Sequence, residues 1–189
     1  MTEKRLKVAA SRLFFALWPD DPLRESLRHS TRKAIRASGG RPVPPHNLHV
    51  TLAFLGSVAD ADRAGVAAAA VKVREPAFKF TLDELQVWPR AKTLVLAPGT
   101  ASAELARLYS QLWDGLEETG FAREARPFRP HVTLARKVAT PGKMTLAAPI
   151  EWRADAFALV RSITDPAGAQ YKVIRRWALQ GESPQGPGR

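Results

Sequence analysis

The sequence predicts an α+β protein of two similar lobes related by a pseudo-two-fold axis. Each lobe is expected to be an antiparallel sheet with helices on its outer face, and the two lobes enclose a central groove. The first observation behind this prediction is a repeat, since the pentapeptide HVTLA occurs at residues 49–53 and again at 131–135. The second is that each copy ends the same series of an apolar strand, an amphipathic helix, a glycine and a proline-containing loop. Equivalent strands of two related lobes would flank one groove, which is therefore the predicted site.

Hydrophobic periodicity and helix-breaking residues place the elements between these landmarks. They predict, in chain order, a strand at 13–18, a helix at 22–38, a strand at 49–53, a helix at 59–74, strands at 78–82 and 93–96, a helix at 101–119, and strands at 131–135, 156–163 and 171–179. Asp21 is expected to cap the first helix, Pro22 to open it and Gly39-Gly40 to end it. Leucines at helical spacing define the helix at 101–119, which Gly120 ends.

Length and charge limit the domain count and the partners. The 189 residues are 45% hydrophobic, enough for a substantial core, so residues 11–180 are predicted to form a single two-lobed domain with flexible termini at 1–10 and 181–189. The formal net charge of +11 favours a polyanionic partner such as RNA. A generally basic surface without a dedicated ligand explains the charge about equally well.

The absence of some residue types excludes whole classes of chemistry. The chain has no cysteine, which removes disulfides, thiolate metal sites and a cysteine nucleophile. It also shows neither an apolar run long enough to span a membrane nor a long apolar signal region at its start. We therefore expect a soluble, cytoplasmic monomer without a membrane partner.

The repeated pentapeptide carries the candidate chemistry. Side chains alternate along a strand, so His49 and Thr51 share one face, as do His131 and Thr133, while valine and leucine anchor the other. One such pair alone is more often a buried structural pair, but the duplication reverses those odds. Two imidazoles supply a general acid and a general base near neutral pH, and two hydroxyls can donate to phosphoryl oxygens. This set suits phosphate chemistry that needs no metal.

Longer segments around the repeats resemble a known family. Asn47–Gly56 and Phe128–Arg136 look like the paired signatures of the two-histidine phosphoesterases. Within that superfamily they are most similar to the RNA 2′,3′-cyclic phosphodiesterases, also called 2′-5′ RNA ligases. The flanking Arg12–Leu17, together with Ser162, Pro166, Gly168 and Tyr171, extends the similarity over about residues 12–179. The pattern departs at 91–96, where relatives often have an arginine and an aromatic residue.

The resemblance implies an activity and roles for the site residues. The activity would be metal-independent hydrolysis of RNA 2′,3′-cyclic phosphate ends to 2′-phosphomonoesters, without a cofactor. His49 would be the proton donor to the leaving 3′-oxygen and His131 the proton acceptor, a choice that the symmetry of the repeats does not make by itself. Thr51 and Thr133 would bind the substrate phosphate, and Arg136 is carried over as a further phosphate contact. Strand alternation supports that placement of Arg136 only if its strand is unbroken to that point.

Other interpretations stay open from the sequence. The same chemistry could run as ATP-independent 2′-5′ RNA ligation, or the protein could be a non-catalytic RNA-binding module that relies on charge and aromatic residues. His46 could pair with His49 at a metal, although a solvated loop residue is favoured. Arginines at four-residue spacing in the first helix could track phosphates or form an ordinary solvated face: Arg24, Arg28, Arg32 and Arg36. The five tryptophans are expected mostly in the core.

Overall fold

Within the described residues, 10–138, 144–165 and 168–179, the computed structural model contains ten strands and three α-helices. The strands are β1 (Ala10–Leu17), β2 (Arg41–Pro42), β3 (Val50–Ala59), β4 (Phe78–Leu82), β5 (Glu84–Trp88), β6 (Thr93–Ala97), β7 (Val132–Arg136), β8 (Ile150–Ala154), β9 (Ala156–Asp165) and β10 (Gly168–Ala178). The helices are α1 (Asp21–Ala37), α2 (Arg63–Val71) and α3 (Ala103–Glu117). The termini predicted to be flexible lie outside the described residues, except for residue 10.

One large antiparallel sheet joins the two predicted lobes. Its strand order is β10-β9-β1-β3-β7-β6-β5, with the short β2 paired to β7. The strands β3 and β7, which carry the repeats, are central neighbours and pair at a single position, Val50 with Val132. On one side of this junction lie β10, β9, β1 and β3, and on the other lie β7, β6 and β5 with β2. The C-terminal strands β9 and β10 thus pair on the side of the first repeat, and the division into two lobes stays a prediction. Strands β4 and β8 form a separate antiparallel pair. The predicted α+β class with antiparallel sheets is confirmed.

The helices cover the face of the sheet that points away from the groove. Alternate residues of β1, such as Leu13 and Phe15, enter the main core together with Leu27 of α1 and Leu112 of α3. Their neighbours on β1 face the opposite side, where Phe14 belongs to a small separate apolar cluster. Alternation along the strands thus gives the sheet one side for packing and one side for a site.

Several element boundaries differ from the sequence-based prediction. The residue that caps α1 is Asp20, whose carboxylate accepts a hydrogen bond from the backbone N–H of Leu23 at 2.9 Å, and Asp21 is already helical. The second helix is shorter than predicted, because β3 runs on to Ala59 and a 3₁₀ turn occupies 60–62 before it. The strands β2 (two residues), β5 and β8 (five residues each) were not predicted.

Close packing of α2 against α3 depends on a glycine. A Cβ atom at Gly115 of α3 would lie 3.0 Å from the carbonyl oxygen of Ala69 and 3.1 Å from its Cα. The two helix backbones approach one another at this point, and the core behind them includes the buried indole of Trp113. Across the described residues, none of the helices is long and apolar enough to cross a membrane.

Candidate active site

Both repeats deliver their polar residues into one cavity. His49 and His131 stand immediately before β3 and β7, so the central pairing of these strands sets the two histidines on the same side of the sheet. Both histidines and the threonines of both repeats line a cavity of about 520 Å³. The sequence-based expectation that the repeats face a shared groove is therefore met by the geometry.

A bulge in each repeat strand adds a further residue to the cavity. In β3, the residues on either side of Leu52 pair with two consecutive residues of β1, so Leu52 itself has no partner there. Leu134 is the corresponding extra residue of β7 in its pairing with β6. Since a bulge resets the alternation, the leucine and the alanine after it both enter the core, and the next residue turns to the cavity. That residue is Phe54 in the first repeat and Arg136 in the second. From the sequence, Arg136 was expected to reach the cavity only if its strand was unbroken, and this expectation was wrong. In an unbroken strand Arg136 would lie on the same face as Leu134 and turn to the core, so it is the bulge that turns it to the cavity.

Aromatic rings enclose His49. Its imidazole stacks on Trp18, with ring centroids 5.5 Å apart and an interplanar angle of 15°. Phe14 and Tyr171 approach it from other directions at centroid distances of 4.9 and 5.4 Å. These rings keep water from much of the imidazole and hold its plane fixed.

Backbone carbonyls orient both histidines in the same way. Nδ1 of His49 lies 2.7 Å from the carbonyl oxygen of Asn47, and Nδ1 of His131 lies 2.7 Å from that of Arg129. Since a carbonyl only accepts, this contact places a proton on Nδ1 and leaves Nε2 as the reactive nitrogen. In the neutral His49, Nε2 can accept a hydrogen bond from the Thr51 hydroxyl, at 3.1 Å.

The surroundings favour the neutral form of both imidazoles. The pKa of His49 falls from its ordinary 6.5 to about 4, mainly because burial disfavours the charged ring. The hydrogen bond to Asn47 opposes this change, and positive charge on His131 and Arg136 adds to it. Burial also lowers the pKa of His131, again helped by the nearby positive charge of Arg136 and opposed by a backbone hydrogen bond. An anion in the cavity would reverse the charge effects and promote protonation.

Several cavity residues have no role assigned by the sequence. Trp88 packs against His131, with ring centroids 4.3 Å apart. Phe54 is 44% exposed, and the guanidinium carbon of Arg12 lies 5.5 Å from its ring centroid. Phe54 could have been found from the repeat itself, because it has the same position as Arg136 after the pentapeptide. No comparable signal marks Trp88, which comes from an unpredicted edge strand.

The other candidate residues are less closely tied to the cavity. His46 is exposed on the turn before His49, as predicted for a loop residue. Within the described part of the chain, no group of three or more His, Asp or Glu side chains is placed to hold a metal ion. In the arginine stripe, Arg24 and Arg28 form ion pairs with acidic residues of their own helix, so an ordinary helix face explains these two.

The tryptophans divide into two groups. Trp113 and Trp152 are buried in the core, as predicted, and the half-buried Trp177 stacks on Phe157. Trp18 and Trp88 instead contact the two histidines. The prediction that most of the tryptophans belong to the packing is confirmed, since three of the five do.

Known proteins resemble this chain in sequence and in fold. RNA 2′,3′-cyclic phosphodiesterases of Thermus thermophilus and Escherichia coli are 34% and 32% identical to it, over 94% and 89% of this chain and 96% of each relative. The crystal structure of E. coli LigT complexed with 3′-AMP superimposes with a TM-score of 0.83 at 31% identity, covering 90% of this chain and 99% of that one. The family model of the 2′-5′ RNA ligase superfamily matches residues 19–166. This chain therefore belongs to the 2′-5′ RNA ligase superfamily.

Proposed function

We propose that this protein is an RNA 2′,3′-cyclic phosphodiesterase that opens cyclic phosphate ends to 2′-phosphomonoesters with two histidines and no metal. The observation that carries the proposal is the convergence of two His-Thr pairs on one cavity. Curated relatives with this name, which the chain covers almost completely, support the same activity. The net charge of +11 supports an RNA substrate.

The reaction needs one proton acceptor and one proton donor in the cavity. His131 accepts a proton from the attacking water through Nε2, as the water oxygen bonds to phosphorus. The bond from phosphorus to the 3′-oxygen breaks, and His49 gives a proton to that oxygen. Each transfer contributes roughly 10²–10⁴-fold to the rate. Because both reactive nitrogens are fixed by backbone carbonyls, neither imidazole has to reorient between the two transfers.

The donors around the histidines suit the phosphoryl oxygens. Thr51 and Thr133 are half-buried at the cavity wall, and each can donate a hydroxyl hydrogen bond to a nonbridging oxygen. Arg136 brings a positive charge to the same wall. Charge-assisted hydrogen bonds from these donors would stabilise the charge that grows on phosphorus-bound oxygen in the transition state.

The exposed ring of Phe54 offers a place for the terminal base. An aromatic side chain that faces a polar cavity can stack on a nucleobase without sequence preference. The guanidinium of Arg12 lies over the same ring and could stack on the base or contact its ribose. We expect Phe54→Ala to raise KM for a cyclic mononucleotide about tenfold with little change in kcat, whereas Phe54→Trp keeps KM close to the native value.

The decisive experiment follows the product of a short RNA that ends in a 2′,3′-cyclic phosphate. The purified protein is incubated with and without EDTA, and 2′- and 3′-phosphate products are resolved by chromatography. We expect release of the 2′-phosphate in both samples. His49→Ala and His131→Ala should each lower kcat by at least about 10²-fold. His46→Ala is the matched control, since this exposed histidine lies on the turn before His49.

The possible outcomes separate the alternatives. Loss of activity in EDTA would contradict the metal-free mechanism. A joined 2′-5′ product from RNA with a free 5′-hydroxyl would indicate ligation, the reverse reaction. Salt-sensitive binding without turnover, unchanged by the histidine substitutions, would indicate an RNA-binding module. The expectations of a monomer and of a cytoplasmic location stay predictions, which light scattering and cell fractionation would test.

A further inference from the structure

A second cavity adjoins the catalytic one and shares a wall with it. Its volume is about 300 Å³, within the range of small-ligand sites. The residue that the two cavities share is Trp88. Trp88 contacts His131 on the catalytic side, so a ligand in the second cavity would lie one aromatic ring away from the reacting groups.

The walls of the second cavity are aromatic and fixed. The indole N–H of Trp88 donates to the side-chain oxygen of Gln86 at 3.0 Å, which sets the plane of the ring. Phe128, on another wall, stacks on Tyr109 with centroids 4.1 Å apart and an interplanar angle of 14°. A flat ligand entering between such walls would lose little free energy to side-chain ordering.

Charge at the second cavity fits a nucleic acid. Arg129 is the one residue with an ionisable side chain among the described residues that line it. The guanidinium carbon of Arg129 lies 5.7 Å from the ring centroid of Trp88, the residue that lines both cavities. This is where the phosphate that joins two nucleotides would pass if the terminal nucleotide occupied the catalytic cavity and the preceding one its neighbour.

We propose that the second cavity binds the penultimate nucleobase of the RNA, so that the enzyme favours oligonucleotide ends over cyclic mononucleotides. The proposal rests on the proposed function, because it takes the 3′-terminal nucleotide to lie in the catalytic cavity. Trp88 and Phe128 provide the aromatic surfaces for the base, and Arg129 contacts the linking phosphate. Stacking of one base should strengthen binding about tenfold.

Equilibrium binding tests the subsite without relying on turnover. Adenosine 2′-phosphate and the dinucleotide ApA with a terminal 2′-phosphate are titrated into the native protein by calorimetry. We expect the dinucleotide to bind about tenfold tighter. Ala106→Phe fills the second cavity from an exposed position of α3 and should bring the ratio of the two affinities to about one. Ala68→Phe places the same side chain on an exposed position of α2 that lines neither cavity, and should keep the native ratio.

The outcomes for binding and for turnover are distinguishable. Equal affinities in the native protein, or a ratio that Ala106→Phe leaves unchanged, would overturn the subsite. If Ala106→Phe does not fold, as judged by circular dichroism, Ala101→Phe fills the same cavity from the exposed loop before α3. If neither cyclic mononucleotide nor cyclic dinucleotide is hydrolysed, the proposed function fails, while the affinity ratio still decides the subsite.

Arg129→Gln provides an independent readout. Removing one phosphate contact should make dinucleotide binding less dependent on salt concentration, while the mononucleotide keeps its native salt dependence. The backbone carbonyl that orients His131 stays in place, since only the side chain changes. A native salt dependence for the dinucleotide in this variant would contradict the role of Arg129.

Discussion

The charge state of His49 in the ligand-free protein in solution is the sharpest quantitative prediction. A fall in pKa from 6.5 to about 4 leaves roughly one His49 in a thousand protonated at pH 7. The same fall corresponds to about 3 kcal/mol of preference for the neutral imidazole. The proposed proton donor is thus neutral until an anion enters the cavity, so in the proposed mechanism the substrate phosphate itself must raise the pKa of His49.

Nuclear magnetic resonance measures this charge state directly. The Cε1–H resonance of His49, assigned by its absence in His49→Gln, is followed from pH 8 to the acid limit of the folded protein. We expect a midpoint near pH 4 in the free protein and a higher one with inorganic phosphate bound. Arg136→Gln should also raise the midpoint, because it removes a positive charge that disfavours the imidazolium. A midpoint near 6.5 in the free native protein would refute the reasoning.

Two further consequences follow from the lowered pKa. The neutral His49 contributes stability that is fully present above pH 6.5 and is lost as pH falls from there through about 4, because the unfolded chain binds the proton more readily. Urea unfolding at several pH values should show this loss in the native protein and less of it in His49→Gln. In the pH–rate profiles, activity that requires protonated His49 is lost as pH rises. The pKa of this loss should be higher in the profile of kcat than in that of kcat/KM, because kcat reports the substrate-bound enzyme and kcat/KM the free enzyme.

Two glycine substitutions test the packing that supports the site. Gly115→Ala should lower Tm by about 2–4 °C in thermal unfolding, since the crowding against Ala69 outweighs the better helix propensity of alanine. Gly65→Ala on α2 is the control: its new Cβ meets no such crowding, so Tm should rise slightly. An unchanged or raised Tm for Gly115→Ala would contradict the close approach of the helices. In Gly40→Ala, the new Cβ would lie 2.9 Å from the carbonyl oxygen of Arg136, so the end of β7 must shift. We expect kcat/KM on a cyclic mononucleotide to fall about tenfold with the fold retained, and a native value would mean that the position of Arg136 tolerates the shift.

The sequence by itself determined the repeated series of elements that ends in each HVTLA pentapeptide, and the polar residues that this series carries. Five identical residues in matching surroundings predicted two lobes, one groove and the pairing of each histidine with a threonine. These conclusions needed only strand alternation and the order of the elements, which are local properties of the chain. The family that the resemblance indicated is confirmed, since the chain belongs to the 2′-5′ RNA ligase superfamily. The individual roles of His49 and His131 stay predictions.

The tertiary structure decided what surrounds the repeats. The bulges at Leu52 and Leu134 depend on pairing with β1 and β6, so alternation within the repeat strands could not reveal that Phe54 and Arg136 turn to the cavity. Trp18 and Trp88 reach the two histidines from different strand ends, and their distance from the repeats in the chain hides that contact. Burial by such rings is also what lowers the pKa of His49. Register, bulges and burial arise from contacts between distant segments, whereas the residue types and their local spacing are written in the sequence.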